Sequence, residues 1–470
     1  MSEELRIVQP SLPLSDPHIC SDSKARLSLL AAIYEPLVKR IAPGIFEPLL
    51  AETWTVDHSA KIWEFKLRDN VRSHDNSRLE AIDVVSTLKR VIDPSIGGTF
   101  GTEGVYASYI GTARFEELSR LKLRITTREP MADLLELLVE MPMVSEEVLY
   151  ELPDTYLGTG PYIINDFDGD TVEMHRNPLY WGARSHYKKL SWVAIPDQSE
   201  RIGVVWRAEA DIASYIDYRG NALAKGLGVK LAEHADNLCI IYLLNCAKGP
   251  CVDSQVRKAL NYATDKVEIV AKLLNGFGEE LCGPLTPLHF GYDPDMKPYP
   301  HDVEKARSLL ADAGRTDLTL KMDVPKSMPD EAPELSKLLK EQWEKAGVDV
   351  DITVHNDREA YSRNVRNKRI GDLCCFDSSP MSAFRILREK ISSKVRGPWW
   401  EGYSNSNVDA LIWQSQRTVD SQERARSYRA VCRIIRDDPP WLFLYRPINY
   451  WAIGQKVSSW SPSFDGVLRF

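Results

Sequence analysis

Between Phe46 and Pro94 the spacing of hydrophobic positions changes twice, and the changes mark out three elements. Trp63, Phe65 and Leu67 alternate with Glu64, Lys66 and Arg68, the two-residue period of a strand with one buried face. Asp75-Asn76-Ser77 interrupts the alternation with turn-forming residues. From Asp83 onward Val84, Val85, Leu88, Val91 and Ile92 gather on one side of a helical period, and Pro94 stops the helix. Ahead of this stretch, Leu5 to Val8 reads as a short strand. Lys24 to Val38 reads as a helix with Leu27, Leu30, Ala31 and Tyr34 on one face. Phe100 to Gly111, rich in Gly and Tyr, reads as a loop.

The second half has a clearer α/β grammar. Leu238 to Leu244 is an unbroken apolar run, as expected of a strand buried on both faces. Asp253, Asp265 and Asp302 are placed to cap three helices, of which the second ends at Gly276 and the third at Gly314. Leu318, Leu320 and Met322 alternate. Leu335, Leu338, Leu339, Trp343 and Ala346 then form a helical stripe, and Val348, Val350, Ile352 and Val354 alternate again, which together predict a βαβ unit. Asp420 with Glu423 opens the last long helix, and Asp437-Asp438-Pro439-Pro440 breaks it before a strand from Trp441 to Tyr445.

With 470 residues the chain exceeds the size at which a single core stops growing, so two or more lobes are expected. A net charge of -8 argues against a nucleic-acid binder, which needs a basic surface for phosphates. The longest apolar run is strand-sized, so no membrane span is expected. Met1-Ser2-Glu3-Glu4-Leu5 has neither a basic nor an apolar signal region, and eight cysteines, including adjacent Cys374-Cys375, favour a reducing compartment. An extracytoplasmic location with the signal trimmed away and a cytoplasmic one both stay open. The sequence has no His-Glu-x-x-His, Gly-x-Ser-x-Gly, Walker loop or Cys-x-x-Cys, and its nine histidines lack metal-ligand spacing, so neither a metal nor a cofactor is expected. Gly158-Thr159-Gly160 precedes strand-like Pro161 to Ile164, which makes it a turn rather than a phosphate loop.

Particular residues go further than periodicity. Leu49, Glu52 and Trp54, then Trp63, Phe65, Leu67, Arg68 and Val71, then His74-Asp75, then Ala81 and Asp83-Val84 follow one another in an order that resembles the family 5 solute-binding proteins. These are the dipeptide, oligopeptide, nickel-chelate and opine receptors of bacterial ABC importers. Ser73 and Asn76 depart from the family, which has Phe and Gly there. The resemblance continues through Ile33 to Val38, Gly158 to Tyr162, Arg176-Asn177-Pro178-x-Tyr180-Trp181, Val256 to Leu260 and Lys305 to Gly314, and so covers nearly the whole chain. It implies an α/β fold of the periplasmic-binding-protein-like type II, a two-lobed clamshell with an inserted subdomain (cluster C type). Lobe I would take residues 1–40, 157–238 and 446–470, the inserted subdomain 41–156 and lobe II 239–445, with hinge strands near 238–246 and 441–447. The implied protein is a non-catalytic monomer that closes about a ligand and delivers it to an ABC permease.

The resemblance also singles out residues. Peptide-binding members pair the ligand's ammonium with an aspartate in a Trp-x-x-Asp-Tyr-like context. Asp377 matches that position, with Cys374 in place of the tryptophan and Ser378 in place of the tyrosine. Two large walls are thereby lost, which implies a bulkier or differently shaped ligand. Arg385 and Arg388 either offer forked donors to a carboxylate or phosphate, or form the solvated face opposite Phe384, Leu387 and Ile391. Of Trp399 and Trp400, one is expected in the core and the other is available to stack on ligand. Asn245 follows the first crossing strand. Tyr34, Tyr106 and His18 are placed near the ligand by resemblance, with a core position the alternative for Tyr34 and a solvated loop the alternative for His18. Cys374-Cys375 would hold a reactive thiolate only beside a cation. The leading reading is a receptor for a small polar ligand, a peptide, an opine-like compound or a related amino-acid conjugate, serving ABC-type uptake. The rival is an intracellular binder or enzyme that uses the enclosed cleft of the same scaffold for chemistry.

Overall fold

The computed structural model describes residues 3–98, 102–235, 237–327 and 329–469. The chain forms two compact units, Met1–His234 with Asn449–Phe470, and Ala235–Ile448.

Unit 1 opens with β1 (Glu4–Gln9), α1 (Lys24–Ile33) and a hairpin of β2 (Val38–Ala42) and β3 (Ile45–Pro48). The helix predicted to reach Val38 stops at Ile33. Pro36 disfavours helical geometry at the residue before it, and Tyr34 is already extended at φ -123° and ψ 156°. Next come β4 (Ala51–Val56) and β5 (Ile62–Leu67), α2 (Ala81–Val91), α3 (Val105–Ile110), and β6 (Arg114–Ser119) with β7 (Lys122–Thr126). The four strands form an antiparallel sheet in the order β4-β5-β7-β6. The alternation read from the sequence holds in β5, where Trp63, Phe65 and Leu67 are the buried positions. Helix α2 starts at Ala81, earlier than its apolar pattern, because Glu80 and Asp83 cap each other's backbone reciprocally. The segment expected to be a loop contains helix α3; Phe100 and Gly101 of that segment lie outside the described residues.

After α4 (Leu134–Leu138) and α5 (Glu146–Leu149) the chain builds the main sheet of unit 1 from β8 (Tyr162–Phe167), β9 (Thr171–Arg176), β10 (Lys189–Ala194), α6 (Gln198–Trp206), β11 (Ile212–Ile216), α7 (Tyr218–Leu227) and β12 (Lys230–Ala235). Strand β1 runs parallel to both β10 and β11, and β10, β9 and β8 are antiparallel neighbours. Leu29 and Ile33 of α1, with Tyr34 just after it, join Trp192, Tyr162 and Ile212 of the sheet in one buried core.

Unit 2 contains β13 (Cys239–Leu244), α8 (Ser254–Tyr262), α9 (Lys266–Leu274), β14 (Gly278–Glu280), α10 (Val303–Asp312), β15 (Leu318–Pro325), α11 (Ala332–Glu344), β16 (Val348–His355), α12 (Arg358–Arg366) and β17 (Leu373–Ser378). It ends with α13 (Ala383–Arg385), α14 (Ser406–Arg417), α15 (Ser421–Asp437) and β18 (Trp441–Ile453). All six residues of β13 are buried, as its continuous apolar run predicts. Asp253, Asp265, Asp302 and Asp420 each accept a backbone N–H of the helix they precede. Strands β15 and β16 are parallel with α11 between them. The closing strand is longer than its apolar run suggests. Trp441 to Tyr445 pair with β13 in unit 2, whereas Tyr450, Ala452 and Ile453 pair with β11 in unit 1.

Candidate functional site

Strand β17 is flanked by β13 and β15, and Asp377 stands opposite Ile240. Five of its six residues are buried and Asp377 is the half-buried exception. Arg358, the first residue of α12, places Nη2 at 3.4 Å from Asp377 Oδ1. Its guanidinium lies over two rings, 5.4 Å from the centre of Phe376 and 5.5 Å from that of Tyr361. Aromatic faces on a planar cation fix its orientation, so two rings steady Arg358 beside Asp377. Nothing in the local pattern marks Arg358, which precedes Asp377 by a whole helix and loop.

Downstream of β17 the chain departs from regular helix. Ser382 caps α13 by accepting Arg385 N–H at 3.3 Å, and Ile386–Ile391 continue as a π-helix in which Ser392 N–H donates to Leu387 O at 3.0 Å. This geometry overturns the solvated-face alternative for Arg385, which is only 3% exposed, whereas Arg388 is half-buried. Arg385 Nε faces Glu389 Oε1 at 3.4 Å, and Arg388 lies 5.9 Å from the Phe384 ring centre. Lys390 Nζ donates to Ser378 Oγ at 3.1 Å and to Asp377 O at 3.4 Å, tying the π turn to the end of β17.

The two tryptophans separate as their adjacency requires. Trp399 is buried against Phe376, with ring centres 4.6 Å apart, and Trp400 is half-buried. Trp400 Nε1 donates to Tyr403 O at 2.7 Å and Arg396 covers its ring at 5.2 Å. Asn245 serves the loop after β13. Its Oδ1 accepts Ala247 and Lys248 N–H and its Nδ2 donates to Gly371 O at 2.9 Å. Cys374 is fully buried, and burial drives its thiol well above the ordinary range; the Cys375 thiol is pushed up to about 12 for the same reason. Neither cysteine meets the condition for a thiolate. A separate groove of about 470 Å³ between α9 and β14 contains none of these residues.

His18, Tyr34 and Tyr106 lie in unit 1, and all three are buried. His18 is not on a solvated loop. Its Nε2 is 3.1 Å from Pro142 O and so must donate, which leaves Nδ1 to accept from Arg90 Nη1 at 2.9 Å. Arg90 in turn forks onto Asp16. Burial, helped by Arg90, holds the His18 pKa below its ordinary value. Tyr34 packs in the main core of unit 1, and Tyr106 OH donates weakly to Glu140 O at 3.4 Å.

The motif stretches of unit 1 converge on Glu35, a residue the sequence marked without a role. Its carboxylate accepts Thr159 Oγ1 at 2.9 Å, Tyr180 OH at 2.8 Å and Trp181 Nε1 at 2.8 Å. Arg68 stacks 5.1 Å from the Trp181 ring. Beside this node His74 N–H donates to Gly158 O at 2.8 Å, His74 Nε2 donates to Gly160 O at 3.0 Å, and His74 Nδ1 accepts Gly158 N–H at 3.3 Å. Burial raises the Glu35 pKa to about 7 against these three donors, and burial lowers that of His74 to about 4. Asn76, in the turn after His74, has φ 73°, a left-handed conformation that explains why glycine serves there elsewhere in the family it resembles.

Among the described residues no group of three or more His, Cys, Asp and Glu is arranged to hold a metal, and no helix is long and apolar enough to cross a membrane. The sequence profile of the bacterial extracellular solute-binding proteins, family 5 (middle region), matches residues 46–380. Heme-binding protein A of Haemophilus influenzae is 25% identical over 457 residues, covering 90% of this chain and 83% of its own. The glutathione-binding protein GsiB of Shigella flexneri is 24% identical over 445 residues, covering 91% and 85%. The solved structure of HbpA2 from Haemophilus parasuis superposes with a TM-score of 0.88 at 23% identity, covering 99% of this chain and 98% of that one.

Proposed function

Because the chain belongs to the bacterial extracellular solute-binding proteins of family 5, the ligand receptors of ABC uptake systems, we propose that its own ligand is a small zwitterion: a peptide, an opine-like compound or a related amino-acid conjugate. The observation that carries this reading is the set of opposite charges gathered at the end of β17, where Asp377 meets Arg358 and Lys390 reaches the same strand end. A charge taken out of water needs a partner, so a site with both signs selects a ligand with both signs. A carboxylate can serve a guanidinium and an ammonium at once, which lets Asp377 receive a ligand ammonium beside Arg358. Arg385, Arg388 and Trp400 complete the proposed contacts.

Calorimetry with reduced glutathione and with dipeptides tests the assignment. Asp377→Asn is expected to weaken binding by about 2 kcal/mol, near thirtyfold in Kd, because the ligand ammonium loses its charged acceptor. An unchanged Kd removes Asp377 from the site. Capture is proposed to proceed by hinge closure, so saturating ligand is expected to reduce the radius of gyration in solution scattering. Superimposable profiles with and without bound ligand would rule closure out.

A further inference from the structure

Helix α15 buries one face and carries a row of arginines on the other. Arg424, Ser427, Tyr428, Val431, Cys432 and Ile435 are the buried positions. Arg426, Arg429, Arg433 and Arg436 fall on the opposite side, at successive spacings of three, four and three residues. The first three are exposed and Arg436 is half-buried. Like charges at these spacings repel, so the row costs the helix stability.

Three of the four are nevertheless held in place by one loop. Arg429 Nε donates to Tyr292 O at 3.2 Å, Arg433 Nε to Asp293 Oδ2 at 2.6 Å and Arg436 Nε to Lys297 O at 3.1 Å. Tyr299 adds a ring centre 4.9 Å from the Arg436 guanidinium. Each anchor uses Nε, and among the described residues the Nη groups of these arginines make no hydrogen bond. A guanidinium fixed at Nε with its Nη groups unspent is a preorganised fork for a carboxylate. Buried Asp293 and exposed Asp295 are the acidic groups that act on Arg433. The four arginines and exposed Lys297 outnumber them, on a chain whose net charge is -8.

We propose that this face of α15 docks a partner protein through an acidic helix. Successive arginines are separated by about 4.5 or 6 Å along the axis, and glutamates spaced by three and four residues on a second helix repeat at the same rise. Side by side, the two rows pair fork with carboxylate over about 15 Å. A long polyanion such as nucleic acid would instead meet repulsion from the acidic remainder of the chain.

The probe is a labelled, alanine-rich helical peptide of about 20 residues with glutamates in that spacing, compared with a scramble of the same composition. Fluorescence anisotropy with the full chain at about 0.15 M salt is expected to show at least about tenfold tighter binding of the patterned peptide. R426E/R429E should weaken it by about tenfold or more and should bind a version with lysine in place of glutamate. This variant keeps the Arg433–Asp293 pair; if it does not fold, R426Q/R429Q carries the comparison. K122E/R128E in unit 1, with the same charge change, should stay within about twofold of wild type. Equal binding of the two peptides, undiminished affinity in the Arg426 and Arg429 variants, or no binding up to about 1 mM overturns the proposal. Wild type that binds single-stranded DNA or anionic vesicles as tightly as the patterned peptide also overturns it, and makes the row a general anion-binding face.

Discussion

Gly160→Ala is expected to destabilise the protein by roughly 3 kcal/mol or more, at the upper end of what overpacking costs. A Cβ on Gly160 would stand 2.5 Å from Ile33 C, 2.6 Å from Ile33 O and 2.7 Å from Ala32 O, all backbone atoms at the end of α1. No side chain can turn aside to relieve such contacts. The backbone there is also committed, since Gly160 N–H donates to Ile33 O at 2.9 Å and Gly160 O accepts from His74 and Asn177. Gly169→Ala is the control. Its φ of +101° strains any side chain, but nothing lies within 4 Å, so a loss of only about 1 kcal/mol is expected. Urea unfolding at constant m-value measures both. A loss below about 0.5 kcal/mol for Gly160→Ala would mean that the close approach of the two chains is not a constraint.

Acid is expected to weaken the fold mainly below about pH 4.5, and the sign follows from four buried groups. The His74 pKa is held near 4 by burial, and that of His18 is also lowered by burial with Arg90 adjacent. A histidine with a depressed folded pKa binds a proton more readily when unfolded, so its contribution is complete above about pH 6.5 and is lost as pH falls. Glu35, raised to about 7, and Glu401, raised by burial to about 6, act in the opposite sense: the folded state binds their protons first, and their contribution is complete below about pH 4.5 and is lost as pH rises. Between about 6 and 4.5, two protons favour the unfolded chain and two favour the folded chain, so these groups leave stability nearly level. Below about 4.5 the carboxyls no longer offset the histidines, and stability falls towards acid by about 3 kcal/mol per pH unit until the histidines charge in the folded state near 4. Urea midpoints at pH 7, 5.5, 4.5 and 4 measure it. A profile level down to pH 4 would show that the histidines are not held neutral, and Glu35→Gln should bring the loss to higher pH by removing one opposing proton.

What could be read from the letters is what short-range physics controls. The aspartate caps of α8, α9, α10 and α15 lie beside the helices they start, and the burial of β13 is written in its own six residues. The motif order identified the family before any contact was known. The π turn was not legible, because Phe384, Leu387 and Ile391 satisfy a helical stripe in either geometry and only the packing chooses between them. Arg358 was invisible for a different reason. Its importance depends on Tyr361 and Phe376 supplying ring faces from a helix and a strand that meet only after folding. His18 looked like a loop residue because its partners, Arg90 and Pro142, lie 72 and 124 residues away in sequence. Trp399 and Trp400 carry the same label, and only the position of Phe376 distinguishes them.

Strand β18 sets a timetable for synthesis. Its last residues, Tyr450 to Ile453, pair with β11, and Leu468 N–H is bound by Ser28 Oγ beside α1. Unit 1 therefore needs both ends of the chain, and its second end leaves the ribosome only after all of unit 2 has been made. The usual order, in which the N-terminal domain folds first, is closed to this protein. Until residue 449 emerges, β11 presents an unpaired edge, the kind of surface that recruits other strands. Unit 2, contiguous from 235 to 448, has all its residues before unit 1 has its own last ones.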